Sequence, residues 1–199
     1  MNTLLTIGLI IFTISSAVFL FVKPKDFNTP FLVNFITLSS YALMLEGSFS
    51  FGQVEDTAIY WTRWVFYAFS CTLLTYGISQ VLEKKTKETI NLIYLTAIVM
   101  LTGALSSYYS GTFMLIFFVI STVAYILLIL PILRSSSPHR SAVTKYILLG
   151  WTGFPVVFLF SPEALGMIGN ESAGVLYLVF DVFTKIVFYI EFSKKSLPY

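Results

Sequence analysis

Seven apolar stretches, each about the length of a bilayer crossing, leave this 199-residue chain almost no polar sequence with which to coat a water-soluble core. They run over about 3–22, 31–50, 58–82, 90–108, 112–133, 146–161 and 174–192. A spanning helix takes about 20 mostly apolar residues, so seven of them use about 140 and leave short loops with no room for a second domain. The expected fold is an all-α membrane protein. It is a seven-transmembrane-helix bundle filling 1–199 as a single domain, multi-pass in the cell membrane. Hydrophobic residues make up 57% of the chain and charged ones 11%, where a soluble domain carries roughly 25% charged. A soluble globule, a disordered chain and a nucleic-acid binder are thereby excluded. The net charge of +2 is too small to mark a polyanionic partner. A single cysteine, Cys71, rules out an internal disulfide and a cysteine-based metal site. A single histidine, His139 in a basic loop, argues against a histidine-rich one. No metal is expected.

Charge placement orients the spans. Lys23 and Lys25 follow the first stretch, which has no basic residue before it; that is the wrong order for a cleaved signal peptide, so it reads as helix one. Lys84, Lys85 and Lys87 follow the third stretch, Arg134, Arg140 and Lys145 separate the fifth from the sixth, and Lys194 and Lys195 follow the seventh. With seven spans all of these fall on one side. The other side holds Glu55, Asp56, Glu163 and Glu171 and no Lys or Arg. The positive-inside rule makes the basic side cytoplasmic, with the N-terminus extracellular and the C-terminus cytoplasmic.

Ten of the twelve basic residues obey this pattern; Arg63 and Lys185 lie inside spans instead. Asp181 lies within span seven, Glu191 near its end and Glu46 on span two. A charge at the bilayer centre costs at least about 2.5–3.5 kcal/mol, so each such residue calls for a partner or a function. Asp181 and Lys185 are one helical turn apart and share a face. A structural ion pair, or a lysine that snorkels to the interface, is one reading. Snorkelling is strained, because Lys185 lies about 13 Å along the axis from Lys194 and its stem covers about half of that. The other reading is chemical. Burial among apolar residues favours a lysine's neutral, nucleophilic form, which condenses with an aldehyde to a Schiff base. A protonated imine needs a counterion, and Asp181 is one turn away.

The motifs on the other spans carry a family resemblance. Span seven reads Phe180-Asp181-Val182-Phe183-Thr184-Lys185, and span three reads Tyr60-Trp61-Thr62-Arg63-Trp64-Val65-Phe66-Tyr67. Span two holds Tyr41, Met44, Leu45 and Gly47; span four holds Gly103-Ala104-Leu105; span five holds Ile120-Ser121-Thr122; span six holds Trp151, Phe154-Pro155-Val156-Val157-Phe158. Each resembles its counterpart, in the same order, in the microbial rhodopsins, from about residue 31 to 192. The resemblance implies all-trans retinal bound covalently to Lys185. Tyr67, Gly103, Phe118, Trp151, Phe154, Pro155 and Phe158 would line its pocket, with Gly103 leaving room for the ring. For each aromatic the alternative is ordinary helix packing. Asp181 would be the counterion. Arg63 would stabilise the Asp181 anion and gate the outer half-channel. The resemblance also implies a homo-oligomer, commonly a trimer, within the lipid bilayer.

Span three points to a subfamily. Outward proton pumps of this family carry a carboxylate three residues after the helix-three arginine and another eleven further on. Here those positions are Phe66 and Gly77. Phe66, Ser70 and Cys71, with Tyr67, resemble the schizorhodopsins, which move protons inward under light, although Gly77 stands where that group has Glu. Ser70 would relay a hydrogen bond from the imine or bond to its own backbone. Cys71 reads as a small packing residue or a relay. Glu46 would join the Arg63 network or cap its helix in solvent. Gly77 would leave space for water, or Glu83 or Glu191 would substitute for the missing acid. Three functions stay open: a light-driven inward proton pump, a photosensor with the same chromophore, and a proton-coupled transporter that uses the Asp181–Lys185 pair without retinal. No nucleophile–base pair or metal set suggests an enzyme.

Overall fold

The computed structural model describes residues 2–21, 28–47, 50–54 and 57–193, with backbone alone at 50–54, 57–61 and 193. Lys23, Lys25, Glu55, Asp56, Lys194 and Lys195, which entered the charge argument, lie outside the described residues. Seven helices follow one another: α1 Asn2–Phe21, α2 Thr29–Leu45, α3 Trp61–Val81, α4 Thr86–Tyr108, α5 Gly111–Leu133, α6 Arg140–Phe160 and α7 Asn170–Phe192. Five of them, α1, α4, α5, α6 and α7, are long and apolar enough to cross a membrane. The 17 residues of α2 reach the lower bound for a crossing. The chain is a multi-pass integral membrane protein.

Helix ends depart from the apolar stretches in a consistent way. Helices α4, α6 and α7 begin four to six residues before their apolar runs, at Thr86, Arg140 and Asn170. Hydropathy marks where a helix meets lipid, whereas backbone hydrogen bonding continues into the polar interface. Between α2 and α3 the expectation needs correcting. Residues 46, 47, 50 and 58–60, read as span ends, are not helical. Glu46 caps α2, Gly47 turns the chain at φ +70°, and β1 Ser50–Val54 pairs antiparallel with β2 Thr57–Tyr60. This segment is rich in β-branched and aromatic residue types, which favour a strand over a helix once the chain has left the bilayer.

Consecutive helices pack side by side, and α7 closes the ring against α1 and α2. At the start of α2, Asn28 accepts a hydrogen bond from the Phe31 N–H (3.0 Å), Pro30 fits the first turn, and the Asn28 amide donates to the Phe19 carbonyl (2.7 Å), tying α2 to the end of α1. The outer surface is apolar: Ile10, Ile14, Leu101, Phe113, Val119, Leu149 and Val179 are all exposed. The interior mixes Phe12, Leu74, Ile132, Phe188 and Phe192 with Asn34, Thr37, Ser70, Thr75, Ser79, Asp181 and Lys185, all buried. This inversion suits lipid, where the apolar face costs nothing and polar groups must find partners inside.

Two π-helical turns face one another, Ile147–Trp151 in α6 and Phe183–Val187 in α7. The first has a visible cause. Pro155 has no N–H for the Trp151 carbonyl and its ring crowds that turn. The helix widens just before it, and the Thr152 N–H reaches back five residues to Ile147 O (3.1 Å). Gly150 lets the helices meet there, since a Cβ at that position would lie 2.3 Å from Thr184 Cγ2.

Candidate functional site around Lys185

Asp181 and Lys185 project from the same face of α7 on either side of the start of its wide turn, and both are almost wholly buried. Lys185 Nζ lies 2.7 Å from Asp181 Oδ1. The other carboxylate oxygen, Oδ2, accepts from the Tyr67 hydroxyl at 2.5 Å and the Tyr41 hydroxyl at 3.0 Å. Hydrogen bonds to a charged group are worth about 1.5–3 kcal/mol each. The lysine ammonium also lies 3.9 Å from the centre of the Tyr67 ring. Beyond this ion contact, neither Nζ nor Oδ1 has a well-formed hydrogen bond among the described residues. Snorkelling is therefore excluded. The amine is held at the bundle centre, because α2, α3 and α7 present it with an anion and an aromatic face.

A cavity of about 470 Å³ opens beside Lys185, between α3, α4, α5, α6 and α7. Arg63, Tyr67, Cys71, Gly103, Phe118, Trp151, Phe154, Pro155, Phe158 and Lys185 all border it. These ten, named from the sequence, come from five helices and make up about a third of the residues that border the cavity. The aromatics interlock: Tyr67 meets Phe154 edge-on at 5.7 Å, and Phe118 stacks with Phe158 at 5.8 Å. Ile126, Leu148 and Val156 line the cavity and are also exposed outside, so it opens sideways between α5 and α6.

Several expected roles change with the geometry. Gly103 does not leave open space: a Cβ there would lie 2.6 Å from Trp64 Cζ3, because the Trp64 indole already covers it. Phe66, half-buried, and Ser70 do not border the cavity. The Ser70 hydroxyl is fully buried and makes no backbone bond, which sets aside the backbone-bonding alternative. Arg63 makes no ion pair with Asp181, whose oxygens are taken by Lys185, Tyr41 and Tyr67. Its guanidinium sits 4.5 Å over the Tyr177 ring instead. The space over Gly77 is not free for water, since the Tyr189 hydroxyl would lie 3.1 Å from a Cβ there. Glu46 is an exposed helix cap. Glu83 is exposed in the α3–α4 turn, while Glu191 accepts from the Tyr146 hydroxyl at 2.6 Å. His139 is half-buried against the Phe192 ring rather than solvated.

Other residues of the site escaped sequence reading. Tyr41 was legible as part of a motif but not as a donor to Asp181, which is 140 residues away. Glu163 read as a loop acid, yet it borders the cavity and accepts from the buried Ser107 hydroxyl. Tyr125 and Thr152 share a hydrogen bond of 2.8 Å on the α5–α6 wall. Spacing carries no signal for such contacts, since each joins segments far apart in sequence.

A seven-helix bundle with a buried lysine–carboxylate pair on its last helix and an aromatic-walled cavity beside it defines the microbial rhodopsin class. The comparisons agree. A family described as bacteriorhodopsin-like protein matches residues 1–190, and the chain belongs to that family. It is 26% identical over 179 residues to Bacteriorhodopsin-II of Haloarcula marismortui, covering 79% of this chain and 69% of that one. It is 29% identical over 175 residues to Bacteriorhodopsin of Halobacterium salinarum, covering 79% and 66%. The crystal structure of schizorhodopsin 4 superposes with a TM-score of 0.92 at 32% identity, covering 98% of each chain. The thermophilic rhodopsin from Rubrobacter xylanophilus shares the fold, with a TM-score of 0.87 at 20% identity over 98% of this chain and 95% of that one. Microbial rhodopsins are light-driven pumps and sensors rather than enzymes.

Proposed function

We propose that the chain carries all-trans retinal on Lys185 as a protonated Schiff base and uses light to move protons inward. The observation that carries this reading is the buried Lys185 amine. It is paired with Asp181, otherwise unbonded, and set on the wall of an apolar cavity. Pockets for molecules of this size hold about 300–1,000 Å³ and are mainly apolar with few polar groups, which the cavity of about 470 Å³ matches. Retinal supplies the light-absorbing polyene and a bond whose isomerisation reorients the nitrogen of Lys185.

The direction rests on where protons can go. Asp181 Oδ1 faces the Lys185 nitrogen and Oδ2 already accepts from two phenols. Taking a proton would forfeit those charge-assisted bonds. Phe66 stands where an outward pump has its usual carboxylate acceptor, and a phenyl ring takes no proton. The proton on the Lys185 nitrogen therefore leaves towards the side of Lys84, Lys85 and Lys145, which the positive-inside rule makes cytoplasmic. Arg63 and Glu163 border the cavity towards the opposite side, where a proton re-enters. The likeness to the schizorhodopsin 4 structure supports the same subfamily.

One observation favours a photosensor with the same chromophore. The Tyr189 side chain closes over Gly77 on the route that an exiting proton would take. Light-induced pH change in cells fed retinal decides between them. Inward pumping alkalinises the medium, and a protonophore or Lys185→Ala abolishes the signal. Acidification overturns the direction. A retinal-coloured protein that changes no pH is the sensor. A protein that stays colourless with added retinal removes both and leaves a transporter working through the Asp181–Lys185 pair.

A further inference from the structure

Asn34 lies on α2 with none of its surface exposed, and its carboxamide joins three helices. Its Oδ1 accepts from the Ser15 hydroxyl of α1 at 2.9 Å. Its Nδ2 donates to the Pro30 carbonyl of its own helix at 2.8 Å and to the backbone carbonyl of Lys185 on α7 at 3.2 Å. A buried amide needs partners, and this one has them. Simple glue between helices would account for that much. The identity of the third partner is what glue leaves unexplained. It is the peptide carbonyl of the lysine whose amine faces the cavity.

That carbonyl lies in the middle of the π-helical turn Phe183–Val187, where the Phe188 N–H reaches back five residues to Phe183 O. No proline lies in that turn, in contrast to α6, where Pro155 explains the widening. A wide turn holds one residue more than an α-turn. Its carbonyls tilt away from the axis and can accept from outside the helix. If the turn tightened to regular α-helix, the residues on its two sides would rotate relative to one another by about 100° for the residue removed. Lys185 would still share a face with Asp181, but its backbone carbonyl would turn away from Asn34 and its amine would meet the cavity differently.

We propose that Asn34 is a positioning residue. Its amide pins the Lys185 carbonyl, keeps the turn wide and so sets how the amine meets the cavity. The grip on the carbonyl also couples motion begun at the Lys185 side chain to α2 and, through Ser15, to α1. The proposal depends on the retinal reading only for its colour readout.

The test uses the fact that Lys185 is the one lysine followed by isoleucine. Full-length protein labelled with carbonyl-13C lysine and 15N isoleucine reports that single peptide bond by solid-state NMR. In apo-protein, Asn34→Leu should shift the Lys185 carbonyl resonance upfield, as loss of a hydrogen bond does. Ser15→Ala, which removes the distal partner alone, should leave it in place. With retinal added, Asn34→Leu should shift the visible band and speed bleaching by hydroxylamine several-fold. An unmoved resonance overturns the proposal. So does an equal shift in Ser15→Ala, or a moved resonance with unchanged colour and bleaching, because each leaves Asn34 as packing only. If Asn34→Leu does not fold, wild-type protein with 15N asparagine decides. Dephasing of the Lys185 carbonyl by the side-chain nitrogen supports the contact, and its absence overturns it. A wild type that takes up no retinal overturns the function proposed above, while the apo-protein resonance still decides the role of Asn34.

Discussion

At Asp181 one buried carboxylate serves an amine and two phenols at once, and the balance of that arrangement is measurable. Removing one member of a buried ion pair strands the other, at about 3–5 kcal/mol, whereas replacing both by apolar residues of similar volume is often neutral or stabilising. Asp181→Asn in apo-protein should therefore lower the denaturation midpoint strongly. The double replacement Asp181→Leu with Lys185→Met should lose less than the single one. Equal losses would mean that the pair holds the bundle together rather than serving a reaction. The pair itself was visible in the sequence, because four residues on a helix make one face. The phenols were not. Tyr41 and Tyr67 lie on two other helices, and only packing decides which aromatic hydroxyls reach the carboxylate.

At the scale of elements, the contact between α6 and α7 is set by a glycine and two wide turns. A Cβ at Gly150 would lie 2.3 Å from Thr184 Cγ2 and 3.1 Å from Phe183 Cδ1. Overpacking of this kind costs about 1–3 kcal/mol. Gly150→Ala should lower thermal stability by that order and weaken retinal uptake, since Trp151 and Lys185 on the cavity wall move with the two helices. Gly47→Ala makes a control that meets no neighbour within 4 Å and strains only its own turn at φ +70°. It should leave uptake intact. Helix existence was legible from apolar length alone. The widening of α6 had a signal in Pro155, and that of α7 had none. The hairpin of β1 and β2 was hidden because its ends ran on from the apolar stretches of the flanking spans, and the short polar run between them read as a plain loop.

For the whole molecule, the distribution of basic loops predicts a sidedness that a labelling experiment reads directly. Ser136, in the α5–α6 loop, and Ser172, in the first turn of α7, are both exposed. With Cys71 replaced by Ser, a Ser172→Cys variant should react with an impermeant maleimide in intact cells. A Ser136→Cys variant should react only after the cells are opened. The reverse pattern would invert the bundle and with it the inward direction. Both sites reacting from outside would overturn the count of spans between them.

The sequence by itself determined the number of helices, the membrane as solvent, the Asp181–Lys185 pair and several of the aromatic side chains around the cavity. Each of these is carried by local information: apolar length, loop charge, helical spacing and the residue types that flank a span. Only the tertiary structure decided that Trp64 fills the space over Gly103, that Tyr189 covers Gly77, that Arg63 sits on Tyr177 rather than Asp181, and that Asn34 holds the Lys185 carbonyl. Those contacts join residues distant in sequence. In a bundle whose helices are apolar on nearly every side, periodicity does not say which face turns inward. That choice belongs to the close packing of all seven helices and to the need of each buried polar group for a partner.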